Sequence, residues 1–255
     1  MIRDNVKTTL VLMRRALNEV IRVPGASIPG VIAPAIFNVG LTAVFGNFTQ
    51  VTGFGTENYI TFIVAIGLMQ GASFSGAATG VNLARDIEQG VFDRMLLLPV
   101  SRPALLAGVV LSASLRAMLP ATFLLIVTFS LGAEFPGLDG LAVALLLVAL
   151  FASVAASYAT ALALHFKTQA AAPLMQAGMF MLILFTTSFA PMELLEGWFK
   201  EVATYNPVTQ VVDGVRQGFV ADVTWSETWP ALAAIAGLLM VFAAAALRGL
   251  RKMAM

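Results

Sequence analysis

The residues best placed to do chemistry in this chain are charged side chains gathered in one short run. Arg85, Asp86, Glu88, Asp93, Arg94 and Arg102 all fall within residues 84–103, between two long apolar segments. Ile87, Val91, Met95 and Leu98 recur among them at the spacing of one helix face. A short helix that is apolar on one side and charged on the other is suited to recognition: the apolar side fills a groove and the rim charges set register. Covalent and metal chemistry have little to work with. There is no cysteine, and His165 is the lone histidine, so thiolate nucleophiles are excluded and His165 reads as structural, since a metal site needs several donors. No GxxxxGK[ST], HExxH or GxSxG pattern occurs. No catalytic or metal-binding residue is assigned.

The elements that must position this run are membrane spans. Hydrophobic residues make up 59% of the 255 and charged residues 11%, against about 25% charged in soluble domains. A chain this apolar reads as an all-α polytopic membrane protein built as one bundle. The net charge of +1 gives no pointer to nucleic acid. Residues 4–22 place Val6, Leu10, Met13, Leu17 and Val20 on one face and cations on the other. That pattern predicts a helix lying in the membrane interface, with Pro24 and Gly25 ending it. Arg14, Arg15 and Glu19 break the apolar run that a cleavable signal peptide would need.

Six spans are expected, at 28–48, 59–83, 104–131, 141–164, 170–190 and 228–247. Asn38 in the first and Gln70 in the second are amides that need partners at membrane depth. The small residues of the second span, Gly67, Gly71, Gly76 and Gly80 among them, read as packing positions. Arg116 lies in the third span, where a structural role is favoured because no acidic residue within a span offers itself as a relay partner. Met175, Met179, Met181, Phe180, Phe185 and Phe189 give the fifth span an adaptable apolar surface, which serves either to line a path or to fill a core. Residues 191–227 are too polar to span and predict two short helices separated by Asn206-Pro207.

Charge sets the orientation. With six spans, twelve cations fall on the side of both termini: Arg3, Lys7, Arg14, Arg15, Arg22, Arg85, Arg94, Arg102, Lys167, Arg248, Arg251 and Lys252. Only Lys200 and Arg216 are expected on the other side. The positive-inside rule makes the twelve-cation face cytoplasmic. A cytoplasmic-membrane protein with both termini inside, no acidic residue in a span and no nucleotide motif needs its energy from a partner, if it is a transporter at all. A non-transport assembly or scaffold protein is the alternative; an intramembrane enzyme is a weaker one, because no cluster of His, Asp or Glu lies at membrane depth.

The run from Arg85 to Arg102, RDIEQGVFDRMLLLPVSR, resembles the cytoplasmic segment of type-2 ABC exporter permeases, close to the daunorubicin/doxorubicin-resistance-like permeases. Its pattern there is E-x-G-x-x-(D/E)-x-L…P-(V/I)-x-R, with Met95 standing where the family commonly has leucine. Tyr205-Asn206-Pro207-Val208-Thr209 and Asp213-Gly214-Val215-Arg216 resemble the family's second motif, before the last span. The resemblance covers nearly the whole chain. It implies a permease subunit of an ATP-driven exporter that moves a hydrophobic drug, lipid or glycolipid. The implied partners are two cytoplasmic ATPase subunits, which hold ATP and Mg2+, a second copy or sister permease, and membrane lipids. It further implies a coupling helix over 84–99, using Arg85, Asp86, Ile87, Glu88, Gly90, Val91, Phe92, Asp93, Arg94 and Met95. Extracellular re-entrant helices over 191–222 would form a lid, with its turn at Asn206, Pro207, Asp213 and Arg216. Phe37, Asn38, Gln70, Met175, Met179 and Phe180 are the expected pathway residues.

Overall fold

In a computed structural model the structure describes residues 24–50, 53–97 and 101–252, without the side chains of 24–29, 48, 50 and 252. The interfacial helix expected over 4–22 and residues 98–100 of the charged run lie outside this set. Helix α1 spans Pro24–Phe45, α2 Tyr59–Glu88, α3 Val91–Leu96, α4 Arg102–Ser130, α5 Gly137–Phe166, α6 Ala172–Leu184, α7 Gly197–Tyr205, α8 Pro207–Val220 and α9 Trp225–Lys252. Among the described residues no strand occurs.

Four of these helices, α2, α4, α5 and α9, are long and apolar enough to cross a membrane, while α1 and α6 are shorter apolar helices. The centre of the bundle is α2. It touches α1, α4, α5, α6 and α8, and 89% of its most apolar stretch is buried. That enclosure is what lets it carry Thr61, Gln70, Ser73 and Thr79, all buried, in an otherwise apolar environment. By contrast α9 buries only 17% of its apolar stretch and closes the outside of the bundle.

Small residues let α2 reach α5. A Cβ at Gly80 would stand 2.5 Å from the Cβ of Ala159, and one at Gly76 would collide with Ala155. The four-residue steps 76/80 and 155/159 run in the same direction on two parallel helices, so the backbones meet along a full turn. Gly71 faces the ring of Pro120, the proline inside α4, at 3.0 Å. The small residues of the second span therefore pack helices, as their spacing predicts. Arg116 is buried and donates to Thr79 Oγ1 across the α2–α4 contact.

Two boundaries differ from the sequence expectation in ways that shape the functional regions. Residues 84–88 extend α2 instead of opening a separate helix. The fifth apolar segment stops being helical at Leu184, well short of 190. The 13 residues of α6 rise about 20 Å, less than a ~30 Å hydrocarbon core.

The close approach makes a direct prediction. Gly76→Ala and Gly80→Ala should each lower stability by about 1–3 kcal/mol through overpacking. Gly237→Ala, with open space at its Cβ, should be neutral or stabilising by up to ~1 kcal/mol from helix propensity. Thermal unfolding of the purified protein in one detergent checks the contrast.

Candidate functional site: an elbow and a buried knot

At one end of the bundle, α2 continues to Glu88 and the chain then reverses. Gln89 N–H donates to Arg85 O and Gly90 N–H to Ile87 O, both at 3.0 Å. Gly90 sits at φ +68°, a left-handed conformation that costs other residues about 1–2 kcal/mol. Its Cβ position is open, so backbone conformation rather than space requires glycine here. This turn folds α3 back onto the bundle. Phe92 is buried, and Ile87, Met95 and Leu96 pack against the core. The apolar face expected to fill a partner's groove is thus applied to the chain itself. What faces outward is Asp93, Arg94 and Leu97, the last 86% exposed.

Glu88 is committed within the chain as well. Its Oε1 accepts from Thr168 Oγ1 at 2.7 Å and Gln169 N–H at 3.0 Å, and its Oε2 accepts from Gln169 Nε2 at 2.6 Å. Thr168 and Gln169 open the short 3-10 turn that leads into α6. One carboxylate therefore ties the exit of α2 to the entrance of α6. Arg85 donates to Asn82 Oδ1. Val91 and Asp86 are half-buried. The ten residues expected to act together are brought together, but only Glu88, Asp93 and Arg94 among them are exposed, and Glu88 is engaged.

The other end holds a buried polar knot. Phe62 and Glu88 are 26 residues apart on α2, a rise of about 39 Å. There Arg216, 5% exposed, donates Nε to Phe62 O at 3.1 Å and Nη2 to Thr187 O at 2.6 Å and Ser188 O at 3.4 Å. Its Nη1 pairs with Asp213 Oδ1 at 3.1 Å, and the guanidinium lies 3.8 Å from the centre of the Phe62 ring. Thr187 Oγ1 donates to the same Asp213 oxygen at 2.6 Å. Beyond the end of α6, Thr186 and Ser188 hydroxyls donate back to Ile183 O. Asn206 Nδ2 donates to Leu182 O and Phe185 O at 2.7 and 2.8 Å, while its Oδ1 caps Val208 N–H. Pro207 is the first residue of α8, so Asn206-Pro207 is both a turn and a helix start. The charge count says only on which side of the membrane Arg216 lies; within the fold it is inside the bundle with its charge met by oxygen atoms.

The expected pathway residues do not form one lining. Met175 and Met179 face inward and are buried, as are Asn38 and Gln70. Asn38 Nδ2 donates to Pro34 O at 2.9 Å, and the side chain fills the space left by Gly67. Phe37 is partly open and meets Phe189 edge-on at 6.1 Å. Phe180 is half-buried. The open face of α6 carries Met181 instead, and with Gly178, Leu182 and Phe185 it borders a groove of about 630 Å³ against Trp198 and Tyr205 of α7. Sequence reading missed this groove. The signal was the 198, 201, 202, 205 spacing on α7, which puts Trp198, Glu201, Val202 and Tyr205 on one face.

The sequence profile of the ABC-2 type transporter family matches residues 7–220. The chain is 28% identical over 249 residues to the daunorubicin resistance ABC transporter permease protein DrrB1 of Streptomyces coeruleorubidus, covering 95% of this chain and 86% of that one. It is 25% identical over 213 residues to the "Probable doxorubicin resistance ABC transporter permease protein DrrC" of Mycobacterium tuberculosis, covering 80% and 72%.

Two outcomes test the geometry. Arg216→Met should destabilise the protein by about 3 kcal/mol, because it leaves the carbonyls of Phe62 and Thr187 without their buried donor and Asp213 without its counter-charge, and Arg216→Lys should recover little of the loss, since an ammonium lacks the guanidinium's planar fork; thermal unfolding measures both. Glu88→Ala should speed amide hydrogen exchange at Gln169 and Ala170, whereas Asp93→Ala should leave those amides unchanged.

Proposed function

The chain belongs to the ABC-2 type transporter family, and on that footing we propose that it is the permease subunit of an ATP-driven exporter of a hydrophobic drug, lipid or glycolipid. In this reading the chain crosses the cytoplasmic membrane six times with both termini inside. The four long helices cross outright. α6 is short for a full crossing, and α7 and α8 fill the outer layer beside it as re-entrant segments. Non-helical backbone at that depth is tolerable because it is buried in protein and its polar groups are met. The permease works as a dimer with a second copy or a sister chain, and two cytoplasmic ATPase subunits bind and hydrolyse ATP with Mg2+.

The observation that carries the proposal is the elbow. Its apolar side is bonded to the bundle and its charged side, Asp93 and Arg94 with Leu97 beside them, is turned out. A partner that grips the outward side delivers its motion into a rigid piece. The piece is continuous with α2, and Glu88 passes the same motion to α6. At the far end of α2 the motion meets Phe62, whose carbonyl and ring hold Arg216. A push at the elbow therefore shifts the knot, and with it the short helices α7 and α8 that close the outer side. The groove between α6 and α7 supplies an apolar, aromatic surface of a size that suits a drug-sized molecule.

Co-expression of this chain with a candidate ATPase tests the reading. Asp93→Lys and Arg94→Glu should each cut co-purification of the ATPase and ATP-driven transport about tenfold, the equivalent of ~1.4 kcal/mol of lost rim contact. Unchanged co-purification and unchanged transport in both variants would overturn the proposal.

A further inference from the structure

Arg102, which closes the first motif, takes no part in the elbow or the knot. It stands at the start of α4 and, with Pro103, Leu247 and Arg251, lines a notch of about 270 Å³ between the start of α4 and the last turns of α9. Both arginines are exposed. Among the described residues neither makes an ion pair or a hydrogen bond. Two positive side chains 149 positions apart in sequence thus converge on one concavity that, among the described residues, holds no acid to balance them. Like charges brought together this way call for an anion, and the guanidinium fork matches phosphate oxygens in pairs. Among the described residues the rest of the wall is apolar, from Pro103 and Leu247, where the apolar length of α4 begins and that of α9 ends.

We propose that the notch formed by Arg102, Arg251, Pro103 and Leu247 binds one phosphate group. Either an anionic phospholipid headgroup or free phosphate can bring that group, with the apolar wall favouring the lipid. The arginines grip the phosphate and Leu247 meets the start of an acyl chain. A lipid held there staples the entrance of the third expected span to the exit of the last. The site does not depend on the exporter reading.

Native mass spectrometry of the delipidated full-length chain tests it, with dioleoyl phosphatidylglycerol and dioleoyl phosphatidylcholine as probes. The parent protein should retain one phosphatidylglycerol in preference to phosphatidylcholine. Arg102→Gln and Arg251→Gln should each weaken that retention about fivefold, and the double variant about thirtyfold, at roughly the contribution of one surface cation each. Arg248→Gln, an exposed arginine of the same helix outside the notch, should leave it unchanged. Displacement of the retained lipid by inorganic phosphate at about 10 mM identifies free phosphate as the ligand that competes for the site; no displacement identifies the headgroup. Equal retention of the two lipids, equal retention by the parent and double variant, or an equal loss in Arg248→Gln would overturn the proposal. All three substitutions are at exposed positions, and matched melting curves confirm that each variant is folded.

Discussion

A positive charge buried in an apolar bundle is the constraint on which the Phe62 end of this protein depends. Arg216 is all but removed from solvent, and an uncompensated charge there would be untenable. It is compensated by Asp213, by the face of Phe62 and by carbonyl oxygens of Phe62, Thr187 and Ser188. The last two are available because α6 has already ended. In a continuing helix they would be turned to their own N–H partners four residues on. The helix break, the position of α8 and the buried arginine are therefore one arrangement. Removing any part leaves the others with unmet polar groups.

The Glu88 end is organised by the same helix in a different way. Along α2 small residues admit α5 to backbone contact, and its enclosure on all sides makes it a strut rather than a lipid-facing span. Where α2 ends, the left-handed turn at Gly90 folds α3 against that strut, and Glu88 fastens the start of α6. Contacts at both ends of α2 involve α6 or the chain just beyond it. A displacement of α2 along or across the bundle is thus felt at the entrance and at the broken end of α6 together.

Much of this was legible beforehand, for identifiable reasons. The membrane class follows from composition, since so few charges cannot cover a soluble surface. The packing role of Gly76 and Gly80 follows from side-chain size at four-residue spacing. The turn at Asn206-Pro207 follows from local chemistry, an Asn side chain capping the N–H two residues on and a proline fit for a first helical turn. The motif segments were recognisable because they are contiguous.

What sequence could not reveal is where polar groups find partners from distant segments. Arg216 could be assigned a side by charge count but not a burial, because nothing near it in sequence shows that Phe62, 154 positions away, offers a carbonyl and a ring. Glu88 read as a rim charge for a partner, because its three donors come from residues 168 and 169. The amphipathic spacing of residues 87–95 was real, but the direction its apolar face takes depends on the backbone at Gly90 and on the bundle it folds against. Sequence alone determined that this chain is a helical membrane protein with one charged elbow and one polar segment before its last span. Tertiary structure alone decided which of those charges remain open to a partner, since burying a charge depends on oxygen atoms that only folding brings within hydrogen-bond distance.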